Sequence, residues 1–131
     1  MNKPLFLSVV LSGLIIVSAF WLASTRPTAG GTNDSSTAIS YNNGVQVIDI
    51  TAKGGYTPRK VVAKANTQTL LRVQTIDTFD CSASLVIPKL SYQKFLRPSE
   101  VVEIAISPDE ARGVYQGLCS MGMYNFQIVF K

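Results

Sequence analysis

The stretch VVEIAISPDEARGVYQGLCSMGMYNFQIVFK, residues 101–131, carries the pattern that decides the fold. Its first run alternates with a period of two: Val102, Ile104 and Ile106 on one side, Val101, Glu103 and Ala105 on the other. Its last run, NFQIVFK at 125–131, places Phe126, Ile128 and Phe130 on one face. Successive side chains of a strand point to opposite faces, so each of these runs buries one side and turns the other outward. SPDEARG, between the first run and VYQGL at 114–118, is a cluster of turn formers with room for one helical turn.

The same rhythm extends upstream. VQVIDI at 45–50, RKVVAKA at 59–65, TLLRVQTI at 69–76, SASLVI at 82–87 and SYQKFL at 91–96 are short strand-like runs. The turn clusters KGGYTP, KANTQ and RPSE punctuate them. About eight strands at this spacing, without a helical period, predict an all-β sandwich or barrel over residues 44–131.

Ahead of that domain, residues 26–43 (RPTAGGTNDSSTAISYNN) are rich in Ser, Thr, Asn and Gly and read as a flexible linker. Residues 4–25 form a run of 22 without a charge. As a helix such a run spans about 33 Å, enough for a hydrocarbon core of about 30 Å. The run is longer than a usual signal-peptide core and no clear A-x-A site follows it, so residues 1–25 are expected to be an uncleaved transmembrane helix rather than a leader. Lys3 and the N-terminal amine before the run, against Arg26 alone after it, favour a domain outside the cytoplasm. Delivery to the cytosolic part of an exporter would need the opposite side.

Composition removes several function classes. The chain has 131 residues, 47% of them hydrophobic, and a net charge of +4. That suits one small domain with an appendage. Its Lys and Arg are scattered, without a basic stripe interleaved with aromatics, so no nucleic-acid partner is expected. There is no histidine, where about three would be ordinary for this length. Ser-His-Asp and Cys-His nucleophile systems are thereby excluded, and typical catalytic zinc and blue-copper sites lose their imidazole ligands. The protein is not expected to be an enzyme or to take a small-molecule substrate.

What the domain does have is clustered sulfur. Cys81, Cys119, Met121 and Met123 are its sulfur-bearing residues, and both methionines lie within four positions of Cys119. Methionines serving as core filler belong on strand interiors; these sit in a Gly-containing loop. Thiolates and thioethers select soft cations, Cu(I) foremost. A straight strand would spread residues 119, 121 and 123 over about 13 Å, so a single-ion site requires the loop to curl, which Gly122 permits. Two cysteines are equally the makings of one Cys81–Cys119 disulfide beside loop methionines.

Gly55-Tyr56-x-Pro58, LVIPKL after Cys81, Gly113-x-Tyr115 and CSMGMY together resemble the cupredoxin-like domains of bacterial copper-handling proteins, in particular membrane-anchored Cu(I) chaperones that serve copper-exporting P-type ATPases. The resemblance covers residues 44–131 and implies a Greek-key β-sandwich of about eight strands with the metal site at one end. It implies that Cys81 and Met121 stand where an electron carrier of the family has histidines, with Cys119 and Met123 matching its Cys and Met. An all-sulfur set of this kind would hold one Cu(I), or two bridged by the thiolates, and pass it to a P-type ATPase or another copper acceptor. A cupredoxin-type electron carrier and a disulfide-linked structural sandwich are the rival readings. Departures from the family pattern are Asn66 and Ser91 at positions often Gly, Gly117 at a position often aromatic, and Phe126 at one often Gly.

Other polar residues read as structural. Asp77 and Asp80 suit turn chemistry, and Glu100, Glu103, Asp109 and Glu110 a solvated edge. Arg59, Lys89, Lys94 and Arg97 suit either an acidic partner surface or a guarded strand edge. Tyr124 borders the methionine loop as a shield for the site or as core.

Overall fold

The computed structural model of the chain describes Gly13 and residues 38–131. The chain divides into two units, Met1–Gly31 and Thr32–Lys131. Apart from Gly13, the expected transmembrane run lies outside the described residues, as does most of the expected linker. Among the described residues no helix is long and apolar enough to cross a membrane.

Among the described residues ten strands form two sheets. The first contains β1 (Ile39–Asn42), β2 (Val45–Ala52), β5 (Thr69–Thr75) and β8 (Val101–Ile106) in that order, with β3 (Tyr56–Thr57) added to β2. The second runs β4 (Lys60–Ala63), β10 (Asn125–Phe130), β9 (Gly113–Cys119), β6 (Ser84–Ile87), β7 (Tyr92–Phe95). Most neighbours are antiparallel; β2 with β5 and β4 with β10 run parallel. Parallel neighbours need a crossover, and the chain supplies it by passing repeatedly between sheets.

The alternation in the sequence is what fills the space between the sheets. Phe126, Ile128 and Phe130 are buried while Gln127 is exposed; Val102 and Ile106 are buried while Val101, Glu103 and Ala105 face out. With Ile48, Ile50, Leu71, Val73, Leu85 and Ile87 they form a single core. Each such side chain contributes about 1.5–3 kcal/mol by leaving water. Gln46 is one of five buried polar residues among those described, and it is satisfied. Its amide accepts from the Lys64 N–H at 2.8 Å, donates to the Lys64 carbonyl at 3.2 Å and to Thr69 Oγ1 at 3.0 Å, and so acts as a strand partner for the chain leaving β4.

The eight expected strands are present, and β1 and β3 are additional. Ile39–Asn42 belong to the sandwich, not to the linker, because Asn43 and Gly44, with φ of 50° and 78°, turn the chain back so that β1 pairs with β2. Two consecutive positive φ values are the geometry that lets a two-residue loop follow strand twist. The segment expected as a strand from residue 82 begins instead with a 3-10 turn, Cys81–Ala83, before β6. Asn66 and Ser91 both adopt left-handed backbone, φ 55° and 50°, in line with their standing at family glycine positions.

The cations are largely engaged within the chain. Lys94 Nζ lies 2.8 Å from Glu100, and Arg97 lies 3.6 Å from the same carboxylate. The Lys94 hydrogen bond, followed by the Arg97 N–H, holds the Glu100 carboxyl down to about 2, so it stays ionised as a structural partner. Lys89 donates to the Arg112 carbonyl at 2.7 Å and sits 4.3 Å from the centre of the Tyr115 ring.

Candidate metal centre

The register of β6 on β9 brings the two cysteines together. Leu85 pairs with Cys119 and Val86 with Leu118, and the Ser120 N–H donates to the Ser84 carbonyl at 3.2 Å. Cys81 opens the 3-10 turn that leads into β6, so it arrives beside the end of β9. Asp80 secures that turn: Oδ1 accepts from the Ser82 N–H at 2.8 Å and from the Ser82 hydroxyl, while Oδ2 accepts from the Gly54 N–H at 2.9 Å. One carboxylate thus ties the Cys81 turn to the loop ahead of β3. The expected turn role for Asp80 holds, and its hydrogen bonds, Ser82 first, pull its pKa below the usual carboxylate range.

The loop carrying the methionines is curled. The Gly122 N–H donates to the Cys119 carbonyl at 2.8 Å, and Gly122 has φ of 72°, a left-handed conformation that glycine adopts without cost. The Cys119 N–H donates to the Tyr124 carbonyl at 3.0 Å, and the Tyr124 N–H returns a bond to Cys119 Sγ at 3.4 Å. Residues 120–124 are therefore a tight connection between β9 and β10, folded back over the Cys119 sulfur.

Both cysteines are free, Cys119 fully buried and Cys81 half-buried. The neighbouring Cys119 side chain, and then desolvation, push the Cys81 thiol up, against the Met121 amide, which lowers it. Burial also pushes Cys119 up, but the Cys81 side chain and the amides of Tyr124, Met123 and Met121 outweigh it and bring Cys119 below the usual thiol range.

The two thioethers lie on the surface: Met121 is 76% and Met123 65% exposed. The four sulfurs thus grade from a buried thiol to open thioethers at one end of the sandwich. No group of three or more His, Cys, Asp or Glu that could hold a metal occurs among the described residues. A cleft of roughly 380 Å³ opens alongside, with Gly54, Arg59, Met123 and Tyr124 in its lining. Tyr124 is half-buried and packs its ring 3.5 Å from where a Cβ of Gly55 would lie, so it walls the cleft.

Beneath the cysteines lies an aromatic layer. Phe126 pairs directly with Gly117 across β10 and β9, and a Cβ at residue 117 would fall 2.1 Å from the Phe126 ring. Phe126 therefore fills the space that a side chain at residue 117 would need. Tyr56 stands edge-on to Phe126 with centroids 5.0 Å apart.

Two residues beside the site escaped the sequence reading. Phe79, two positions before Cys81, is 84% exposed; a lone aromatic inside the polar turn DTFD was the available signal. Tyr56 stood only in a family motif, and its position under the cysteines follows from the pairing of β3 with β2.

The sequence profile of the cupredoxin-like domain family matches residues 13–129. No curated protein matches the chain. Among solved structures, the metal-binding domain of the Streptococcus pneumoniae D39 Cu(I)-exporting P-type ATPase CopA with Cu(I) is similar at a TM-score of 0.62, with 19% identity over 71% of this chain and 92% of that one. A copper binding protein solved by NMR in the apo form is similar at a TM-score of 0.62, with 26% identity over 71% of this chain and 94% of that one.

Proposed function

The chain belongs to the cupredoxin-like domain family, and from that premise we propose that it is a Cu(I)-binding protein using Cys81, Cys119, Met121 and Met123 as ligands. One observation carries this reading: two free cysteines, brought to one end of the sandwich by the β6–β9 register, lie beside a curled loop with two exposed methionines. The chain has no histidine to stabilise Cu(II). Sulfur-only coordination favours the cuprous state and works against electron transfer.

The protein acts as a copper buffer and donor, not as an enzyme. Cys119 and Cys81 supply charge and tight binding, while the thioethers bind more weakly and face solvent. An acceptor thiolate reaches the ion from the methionine side and displaces Met121 or Met123 before either cysteine. The fold shared with a metal-binding domain of a Cu(I)-exporting ATPase supports such an exporter as the acceptor. The apolar run at 4–25, acting as an anchor, would keep the domain at the membrane where an exporter resides. The closeness of the thiols also suits a Cys81–Cys119 bridge. Counting reactive thiols on the purified protein separates the two: two support copper binding, none supports the bridge.

The decisive test is titration of the full chain with Cu(I) in competition with a chromophoric chelator, under reducing conditions. Met121→Leu and Met123→Leu keep volume but remove the donor. Each is expected to weaken binding by about tenfold, as a neutral ligand should, or to halve the stoichiometry if two ions are held. The methionine-ligand assignment is discarded if both variants titrate as the wild type does.

A further inference from the structure

Arg72, Lys94, Arg97 and Arg112 each lie within ion-pair distance of a carboxylate. Arg59 does not: among the described residues no hydrogen bond or ion pair engages its guanidinium. Its main chain is fixed, since the Arg59 carbonyl accepts the Gln127 N–H at 2.8 Å. Val61 and Ala63 on β4 are buried, so residue 59 projects to their face, toward the interior of the sandwich. It stands just before β4, past the end of the core, and is exposed. What it meets there is the cleft of roughly 380 Å³, whose lining it shares with Met123.

The cleft joins two unlike chemistries. Lys53, also exposed, opens the turn that brings Gly54 and Gly55 to the lining, and its N–H donates to the Gly55 carbonyl at 2.9 Å. Asp80, the acid bound to that turn, is committed to the Gly54 and Ser82 N–H groups at 2.9 and 2.8 Å. Positive charge with its donors free thus lies on one wall, and a thioether that is 65% exposed lies on another. A guanidinium is a planar fork that takes a carboxylate through two parallel N–H bonds. A thioether that ligates Cu(I) marks the side from which another soft sulfur reaches the ion. The volume falls within the range of small-molecule sites, about 300–1,000 Å³.

Resting on the copper reading above, we infer that this cleft receives a low-molecular-weight thiol bearing a carboxylate, and that the domain exchanges Cu(I) with that thiol. Arg59 binds the carboxylate and aims the sulfur at the ion from the Met123 side. In loading, bonds form from the ion to the protein sulfurs and the bond to the small thiolate breaks. The Cys81 and Cys119 protons pass to solvent, and the departing thiolate takes one up. In unloading, the small thiol gives its proton to solvent, its sulfur bonds to the ion, and the copper–Met123 bond is the first to break. Copper remains Cu(I) in both directions, so no oxidant or reductant is needed.

N-acetylcysteine and its amide test this, because they differ only in the carboxylate. Each is complexed with Cu(I) and offered to the full chain, wild type and Arg59→Gln, with uptake followed by stopped-flow ultraviolet absorption of the sulfur–copper bonds. Each thiol has its own affinity for copper, so the quantity read is the ratio of wild-type to variant rate for that thiol. The expected ratio is about ten for the acid, the loss of one charge-assisted carboxylate pair, and within about twofold of one for the amide. Arg59→Lys should recover part of the rate with the acid. In the copper-free wild-type chain the Arg59 Nε–H resonance should move saturably with N-acetylcysteine and stay in place with the amide. Equal ratios for the two thiols, or an unmoved Arg59 resonance, overturn the inference. If the wild-type chain takes Cu(I) from neither thiol, the copper reading falls and this one with it. Uptake from both with an indifferent Arg59→Gln overturns this inference alone.

Discussion

Cys119→Ser is expected to raise the Cu(I) dissociation constant by roughly three orders of magnitude, about 4 kcal/mol. The reasoning lies in depth and in softness. Cys119 is fully buried at the end of β9, with the Tyr124 amide 3.4 Å from its sulfur, so neither water nor another side chain can move in to replace it. A serine hydroxyl is a hard, neutral donor at neutral pH and has little affinity for Cu(I). It still accepts the Tyr124 N–H, so the fold should survive and the loss should be one of binding. Cys81→Ser should also abolish tight binding, since a single thiolate with exposed thioethers cannot compete with a chelator. Competition titration with circular dichroism on each variant checks both points. Wild-type affinity in both cysteine variants would remove the proposed site.

The second large effect concerns the Gly117–Phe126 pair across β9 and β10. Gly117→Phe alone places a side chain where Phe126 already lies, with the first atom 2.1 Å from that ring. Overpacking of this severity should cost about 3 kcal/mol or more. Phe126→Gly alone removes a fully buried ring and should cost about 3–5 kcal/mol. Because residues 117 and 126 are directly paired and project to one face, the double variant restores one ring in one space. It should recover most of the stability lost by either single change. Urea unfolding of the four proteins measures the coupling. Strict additivity of the two losses would show that the positions do not share the space.

Legibility of this chain follows the reach of its interactions. β8 and β10 were plain because Val102, Ile106, Phe126, Ile128 and Phe130 face one core and their intervening neighbours do not. β1 was not, because ISYN is a largely exposed edge strand with no apolar face to display; its existence depends on pairing with β2 around Asn43–Gly44, which reads as polar linker. β3 is two residues long and carries no periodicity at all. At the site, the sulfurs stood out by chemistry and local density. The Asp80 clamp on Gly54 and the cleft shared by Arg59 and Met123 could not, because each depends on segments brought together only by the completed sandwich. The Gly117 and Phe126 departures looked like two unrelated irregularities along the chain, and the β9–β10 register makes them one feature.

The outward placement of the two methionines has a chemical consequence under oxidative stress. A thioether at 65–76% exposure is open to peroxide, and its sulfoxide is a polar oxygen-bearing group with little appetite for a soft ion. Damage should therefore begin at the rim, with Met121 and Met123 gaining one oxygen each before the buried Cys119 is touched. Peptide mass spectrometry over a peroxide time course would show that order, and prior oxidation of Cys119 would contradict it. A domain oxidised only at its methionines loses its entrance, and methionine sulfoxide reduction would restore it without resynthesis of the chain.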